Sequence, residues 1–425
     1  TFIASSAASD VYKRQPYDSS AAYARKVRLR NRRATLLTRQ VQYRDQWPGD
    51  SYLQFMYERL LPLRDLLASD GSLWLHCDYR QVHRLHLLLE EVFGRDNYLN
   101  TIAWRSQVTR GAKVDAFYFP YSTQYIEIFA KDRRAPTRWH PQRKQLVFTR
   151  RQAAAQFMED EGGFFRTSDP GTYSFARLKE LHVAGRLYAP YGGEIVIDEA
   201  AERVYGSKGG NLGVKYYLTR LEDGRYAVER GVDNLWDDIP GLGTTPGEDV
   251  GYPTQKTVAL LRRIIGASTD PGDWVLDAFA GSGTAPLVAQ QMGRRWLACD
   301  ENYGAIQTMR RRLQVEPDAN FGVYTLGEPG AAATTSDEGK PRVDLQIQRV
   351  GPDRDRIEVV IGHVHAPAVA ELLAERGHGP LADWREAVEA VEIDPAYDDS
   401  VFHPVVADAP QGKRTQVGGS YRLDA

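Results

Sequence analysis

The stretch Val275-Leu276-Asp277-Ala278-Phe279-Ala280-Gly281-Ser282-Gly283-Thr284 decides the fold of this 425-residue chain. Its apolar start is typical of a buried strand, and its two glycines permit a tight turn into a helix. A helix N-terminus offers free N–H groups and a positive dipole to a ligand. Asp300 ends the next predicted strand, Trp296–Asp300, where a carboxylate can bind ribose hydroxyls. The stretch therefore predicts a nucleotide-type site, although the third glycine of NAD sites is lacking.

The chain around this stretch reads as α/β structure with two additions. Residues 51–100 alternate helix, buried strand and helix patterns, with Gly94 closing the second helix. Strand patterns follow to Ala130, whereas residues 136–250 predict an inserted module of short strands and loops. Beyond a linker, alternating segments such as 343–347 and 356–361 predict a small β-rich domain with a helix near 366–376. Two cysteines exclude a disulfide framework, and no membrane span or signal peptide is seen, so we expect a cytoplasmic protein.

Charge is distributed unevenly along the chain. Residues 315–425 carry 10 Lys and Arg against 20 Asp and Glu, which leaves the rest of the chain basic. The most basic stretch, Lys13 to Arg44, has ten positive residues and one negative residue. Such a run suits phosphate contact, and a solvated helix face is the alternative. Charge alone thus predicts two parts of the chain. One is a basic body that faces a polyanion, and the other is an acidic appendage.

The motif from Asp277 to Thr284 resembles the S-adenosylmethionine-binding motif of amino-methylating DNA methyltransferases. The upstream segment Gly251-Tyr252-Pro253-Thr254-Gln255-Lys256 is similar to that family's companion cofactor motif, with Thr257 where the family has proline. Blocks within residues 52–100 are similar to the methylase (Mod) subunits of type III restriction systems. The likeness covers roughly residues 16–130 and 232–314. The catalytic motif precedes the cofactor motif, as in the circularly permuted β class.

The resemblance implies a doubly wound, Rossmann-like methyltransferase core that binds S-adenosylmethionine. It implies cofactor contacts for eight residues, namely Asp277, Phe279, Gly281, Gly283, Thr284, Asp300, Thr254 and Lys256. The expected domains are the catalytic half of the core at 1–135, a target-recognition insert at 136–245, the cofactor-binding half at 246–327, a linker at 328–341 and an acidic α+β domain at 342–425. The family needs no metal for this chemistry, and none is expected.

The catalytic motif departs from the family. Where relatives have Asp-Pro-Pro-Tyr or a close variant after a buried strand, this chain has Arg14-Gln15-Pro16-Tyr17. Pro16 and Tyr17 are the catalytic residues that remain, and the acid is missing. Residues 1–13 lack an apolar run, so we expect the preceding strand to be missing too. One explanation is that residues 1–15 are foreign sequence on a truncated gene, and the other is a degenerate, non-catalytic paralogue.

The resemblance predicts a DNA methyltransferase that moves a methyl group to an exocyclic amine of a flipped-out base, with N6 of adenine favoured over N4 of cytosine. A catalytically dead DNA-binding subunit that keeps its cofactor and an RNA base methyltransferase are the alternatives. Expected partners are double-stranded DNA, at the prokaryotic nucleoid, and a restriction subunit or a second copy of the chain. Expected phosphate contacts are Arg25, Lys26, Arg28, Arg30, Arg32 and Arg33.

Two further groups of residues are interpreted as structural. His76 and Cys77 end a predicted strand, and His83 and His86 follow at helical spacing, which could suit zinc only with further ligands. Cys299 precedes Asp300 in a predicted buried strand, so we expect it in the core.

Overall fold

The computed structural model describes residues 10–14, 21–28, 36–45, 51–108, 117–135, 138–316, 319–324, 342–350, 356–365, 371, 373–374, 383, 385, 391–393, 406–408 and 420–424. The chain divides into two compact units. The first comprises Thr1–His140 and Asn234–Ala425, and the second is Pro141–Asp233.

The first unit begins with six strands and two helices. In chain order they are β1 Asp10–Arg14, β2 Ala21–Arg28, β3 Leu36–Asp45, α1 Ser51–Leu66, β4 Ser72–Cys77, α2 Val82–Phe93, β5 Tyr98–Arg105 and β6 Thr123–Ala130. Gly94 ends α2 with φ of 85° and donates its N–H to Glu90 O, which confirms the predicted stop.

The second unit is built from nine short strands and two short helices. They are β7 Arg143–Phe148, α3 Arg150–Gln156, β8 Met158–Asp160, β9 Gly163–Ser168, α4 Phe175–Val183, β10 Leu187–Tyr188, β11 Ile195–Asp198, β12 Arg203–Gly206, β13 Gly213–Tyr217, β14 Thr219–Arg220 and β15 Tyr226–Gly231. The order β10-β13-β9-β8 forms an antiparallel four-stranded sheet, and β14-β15-β7 forms a three-stranded one. Short strands and loops were predicted for this region.

The first unit resumes with strands and helices that complete its sheet. They are β16 Leu235–Trp236, α5 Val258–Ser268, β17 Trp274–Asp277, α6 Thr284–Gln291, β18 Arg295–Ala298 and α7 Tyr303–Leu313. Beyond them lie β19 Arg342–Val350, β20 Arg356–His365, β21 Val391–Ile393, β22 Val406–Asp408 and β23 Ser420–Asp424. The order β19-β20-β23 is an antiparallel sheet, as the alternating pattern predicted. The proposed linker at 328–341 and most of the helix near 366–376 lie outside the described residues.

Seven strands form the central sheet in the order β16-β5-β6-β4-β1-β17-β18. Only β6 runs antiparallel to its neighbours in this sheet. The carboxyl ends of the six other strands therefore share one edge with the start of β6. The α/β fold class predicted from the sequence is confirmed, and ligands in such folds bind outside this edge.

One face of the sheet is packed against the first two helices. Leu73 and Leu75 of β4 point to this face and are fully buried against Met56 and Leu60 of α1. Trp74, between them, points to the other face and stacks on Trp139 with ring centroids 6.1 Å apart. Burying each leucine contributes roughly 1.5–3 kcal/mol, so the alternation along β4 fixes its register.

The expectation that a strand is missing before Pro16 was wrong. β1 lies between β4 and β17 and pairs in parallel with both, with Arg14 opposite His76. The position between β4 and β17 offers backbone hydrogen-bond partners on both sides. This pairing outweighs the weak strand pattern of residues 10–14. In the described part of the chain, no helix has the length and hydrophobicity that crossing a membrane requires.

Candidate active site

The glycine turn follows β17 at the carboxyl edge of the sheet. Gly281 and Gly283 have φ of 53° and 73°, in the left-handed region that favours glycine. A Cβ on Gly283 would lie 2.6 Å from Met309 Cγ and 3.1 Å from Met309 Cα. Gly283 thus lets α7 approach the turn closely, and Thr284 begins α6 as expected.

Two buried or half-buried carboxylates hold this turn in place. Asp277 Oδ1 accepts from the N–H of Phe279 at 3.1 Å. Asp300 Oδ2 accepts from the N–H of Gly281 at 2.8 Å, and its Oδ1 accepts from Asn302 N at 2.9 Å. Since a carboxylate can accept further hydrogen bonds, Asp300 keeps acceptor capacity for a ligand hydroxyl. The N–H of Gly281 is taken by a carboxylate, an arrangement that disfavours a phosphate at this position.

Beneath the turn lies an arginine that the sequence motifs did not reveal. Arg312 of α7 is 9% exposed, and its Nη1 donates to Ser282 O and to Thr284 Oγ1, each at 2.9 Å. Thr284 Oγ1 donates in turn to Lys256 O at 3.3 Å. Burial lowers the pKa of Arg312 to about 10, so it remains a cation at neutral pH. Thr284 therefore ties the turn to Arg312 and to the Lys256 backbone.

The companion segment lies beside the turn in a strained conformation. Thr254 has φ of 63°, which is rare for a β-branched residue and costs about 1–3 kcal/mol. Lys256 is 7% exposed and donates from Nζ to Thr254 O at 3.3 Å. Glu248 Oε2 accepts from Val258 N at 2.8 Å and so satisfies the first N–H of α5. The hydrogen bonds of this segment therefore hold Thr254 in a conformation that would otherwise be unfavourable.

A cavity of about 900 Å³ opens next to this segment. Its wall is formed by residues at the carboxyl ends of β4, β5 and β16, the start of β6 and the companion segment, including Asp78, Arg80, Trp104, Ser106, Gln124, Asp237–Thr244 and Thr254–Lys256. Among the described residues, Ser106 Oγ and Gln124 Oε1 are shielded from solvent and find no hydrogen-bond partner. Buried polar atoms left unpaired cost about 1–3 kcal/mol, so these two atoms are costly polar positions in the cavity wall.

Backbone packing shapes this cavity at Gly241. A Cβ there would lie 1.9 Å from Ser106 O, so only glycine fits. Trp104 Nε1 donates to Ile239 O at 2.9 Å and fixes the same loop to β5. Asp78, at the end of β4, accepts from Arg80 N and Nε at 3.0 Å. The cavity wall is therefore fixed by contacts within the first unit.

Not every predicted site residue can be placed. Pro16 and Tyr17 lie outside the described residues, as do Arg30, Arg32 and Arg33. Arg25, Lys26 and Arg28 lie on β2, which pairs with β3 as an antiparallel hairpin rather than a helix. The eight predicted cofactor residues are all described, on the glycine turn, after β18 and in the companion segment.

The histidines and cysteines that were interpreted as structural lie in different settings. His76 is fully buried and meets the edge of Trp104. Cys299 is exposed, which corrects the expectation of a core residue, because β18 ends at Ala298. His86 Nδ1 lies 3.0 Å from Glu127 Oε2, and Glu127 is 1% exposed. The sequence motifs do not reveal Glu127, although a charged residue in the apolar run of β6 is a usable signal.

Comparisons with known proteins show which families and proteins this chain is similar to. The family model described as DNA methylase (N6_N4_Mtase) matches residues 10–311. The type II methyltransferase M.EcaI of Enterobacter cloacae is 27% identical over 285 residues, 62% of this chain and 58% of that protein. The HindVI Mod subunit of Haemophilus influenzae, named as a probable type III restriction-modification enzyme, is 23% identical, covering 61% of this chain and 43% of that protein. The chain thus spans about half the length of these relatives. The crystal structure of an M1.HpyAVI–SAM complex is 18% identical, covering 63% of this chain and 86% of that one, with a TM-score of 0.33.

Proposed function

Since the chain belongs to the N6/N4 DNA methylase family, we propose that it moves a methyl group from S-adenosylmethionine to an exocyclic base amine of double-stranded DNA. The family uses S-adenosylmethionine, so the cofactor predicted from the sequence is confirmed. We further propose adenine N6 as the target, ahead of cytosine N4, in a base flipped out of the duplex. We place this activity at the nucleoid of a prokaryotic cell, together with a restriction subunit or a second copy of the chain.

The observation that carries the proposal is the glycine turn held by Asp277 and Asp300. S-adenosylmethionine has ribose hydroxyls and a sulfonium cation but no phosphate. The acceptor oxygens of Asp300 suit the hydroxyls, and the negative charge of the two carboxylates suits the cation. Lys256 is nearly buried beside the turn, and as a cation it suits the cofactor carboxylate. The residues present therefore fit this cofactor, whose chemical contribution when bound is an electrophilic methyl group.

The chain's own residues must then make the base amine nucleophilic. The amine lone pair is delocalised into the base, so hydrogen-bond acceptors have to draw its protons and raise electron density on nitrogen. In the family an acidic side chain and a backbone carbonyl do this, and an aromatic ring stacks on the base. Tyr17 keeps the ring, but Arg14 stands where the acid belongs. We propose that methyl transfer by the sequence as written is impaired while cofactor binding is retained.

The test restores the motif within the existing strand. Arg14→Asp together with Gln15→Pro gives Asp-Pro-Pro-Tyr at 14–17, with the acid at the last residue of β1, opposite His76 of β4. We expect the double variant to transfer labelled methyl groups to duplex DNA, with N6-methyladenine found by nucleoside mass spectrometry. Lys13→Asp with Gln15→Pro is the matched control, since it puts the acid one residue earlier than the family motif has it. Equal inactivity of both variants, with cofactor bound, would favour the dead DNA-binding subunit.

The RNA alternative is separated by competition. Structured RNA would be the substrate if it met two conditions. It would displace the chain from duplex DNA at equal concentration, and it would accept methyl groups from the restored variant. We expect neither effect.

A further inference from the structure

In the second unit, an arginine on β9, a tyrosine on β13 and an arginine just before β10 form an Arg–Tyr–Arg row on the sheet β10-β13-β9-β8. Tyr216 of β13 pairs with Arg166 of β9, and Arg186 directly precedes β10 on the other side. The guanidinium carbon of Arg166 lies 5.0 Å from the centroid of the Tyr216 ring, and that of Arg186 lies 5.7 Å from it. Tyr173, 44% exposed, brings its hydroxyl within 3.5 Å of the Tyr216 hydroxyl. The row thus joins two cations and two tyrosines.

The two arginines are half-buried without a carboxylate partner, which sets them apart from the half-buried Lys179 and Lys215 of this unit. Lys215, on the opposite face of β13, pairs with Asp160 at 2.7 Å. Arg177 of α4 likewise pairs with Glu180 at 2.7 Å. In the part of the chain that the structure describes, neither Arg166 nor Arg186 has an acidic group within 4.0 Å. Half-buried guanidinium groups without a counterion are costly, and this indicates an external partner with acceptor atoms.

Arg166 is the member of the row best prepared to bind. Its Nε is shielded from solvent and has no partner among the described residues, whereas Arg186 Nε donates to Lys215 O at 2.8 Å. Contact with the Tyr216 ring restricts the guanidinium plane, and the two terminal Nη atoms, which are not shielded, can donate as a pair to an external acceptor. In DNA such a pair is offered by O6 and N7 of guanine in the major groove. An arginine held rigidly suits base reading, whereas flexible exposed cations suffice for phosphates.

We propose that Arg166, held against Tyr216, is a specificity-determining residue that reads a guanine in the DNA target. This inference rests on the proposed function, which supplies DNA as the partner. The second unit then carries part of the sequence readout, and Arg186 supports the row through its contact with the β13 backbone.

The test selects binding sites from a randomised duplex library with the full chain and S-adenosylhomocysteine. We expect the wild type to enrich a motif containing a guanine that Arg166→Ala no longer selects. On the best wild-type site this variant should bind about 5- to 150-fold more weakly, the cost of removing one two-bond interaction with a base. Arg166→Lys keeps the positive charge but lacks the two parallel N–H donors of the guanidinium, so it should lose the same base preference. Arg177→Ala, whose cation is already paired, should leave motif and affinity unchanged.

The outcomes separate this inference from the proposed function. Equal weakening by Arg166→Ala on all sequences means a phosphate contact and overturns base reading, as does an unchanged motif. If the Arg166→Lys variant has the melting temperature of the wild type, its loss of base preference is not caused by unfolding. A wild type that binds S-adenosylhomocysteine and DNA without base preference overturns this inference alone. A wild type that binds neither overturns the proposed function as well.

Discussion

Arg312 donates from Nη1 to Ser282 O at 2.9 Å and so fixes the glycine turn from below. The same nitrogen holds Thr284, the first residue of α6, and the guanidinium is nearly buried. Hydrogen bonds from a charged donor are worth about 1.5–3 kcal/mol each, so this cation contributes to the shape of the turn. Arg312 is not among the described residues that line the cavity. We therefore regard Arg312 as a positioning residue for cofactor binding.

Arg312→Met removes this support while keeping most of the side-chain volume. We expect the affinity for S-adenosylhomocysteine, measured by calorimetry, to fall at least about tenfold, which corresponds to about 1.4 kcal/mol. Because Arg312 is a cation with a pKa of about 10, the loss should be the same at pH 6 and pH 8.5. Arg311→Met, on the same helix but outside this contact, is the control. Equal affinities in both variants would show that the turn keeps its shape without Arg312.

Gly283→Ala combines a strained backbone with a steric clash. The left-handed conformation costs an alanine about 1–2 kcal/mol, and contact with Met309 adds about 1–3 kcal/mol. Gly293 has nearly the same φ, 70°, but a Cβ there meets nothing within 4 Å. In urea unfolding, Gly293→Ala should therefore lose only the free energy of the strained backbone, and it should keep its affinity for the cofactor. Gly283→Ala should lose the free energies of the strained backbone and of the clash with Met309. Equal losses of stability would mean that α7 moves aside freely.

Local motifs revealed the turn because its chemistry lies within consecutive residues. Asp277, Gly281 and Gly283 are a few positions apart, and the need for a carboxylate and for glycine is local. Arg312 reaches the turn from α7, thirty residues beyond Ser282. Nothing in its neighbourhood, Arg310-Arg311-Arg312, distinguishes the buried arginine from the other two. Such a contact is set by helix packing, which a single sequence does not encode in a readable pattern.

β1 illustrates the opposite case, in which tertiary context creates an element. Residues 10–14 contain Asp, Lys and Arg and show no apolar run, and this led to the wrong expectation of a missing strand. The open slot between β4 and β17 offers ladder partners on both sides, and this pairing is independent of side-chain type. The cavity was likewise unpredictable, since Ser106, Gln124 and Gly241 meet only when distant strands end at one edge.

Glu127 should make stability depend on pH. Burial raises the pKa of its carboxyl above the ordinary 4.5, although hydrogen bonds from His86 and Thr101 oppose this. The folded protein thus binds this proton more tightly than the unfolded chain, and ionised Glu127 costs stability at pH 7. Relative to Glu127→Gln, the wild type should gain stability as the pH falls through the raised pKa toward 4.5. The gain has a slope of at most about 1.4 kcal/mol per pH unit.

Urea unfolding of both proteins between pH 7 and pH 4.5 measures this difference. Glu229→Gln, on an exposed part of β15, controls for the removal of one carboxylate from the chain. A difference between wild type and Glu127→Gln that stays constant over this range would show that Glu127 is ionised throughout. The hydrogen bonds from His86 and Thr101 would then outweigh burial.

The basic segment around the β2–β3 hairpin should control the salt dependence of DNA binding. Replacing Arg28, Arg30, Arg32 and Arg33 with alanine should weaken binding to all duplex sequences alike. The slope of log K against log salt should flatten by about 0.9 for each DNA phosphate that the variant no longer neutralises. The matched control replaces four arginines that each bond to a nearby carboxylate, namely Arg134, Arg177, Arg225 and Arg385. It removes the same formal charge, but from cations already neutralised, so the slope should change little. If both quadruple variants flatten the slope equally, net charge rather than local phosphate binding attracts the DNA.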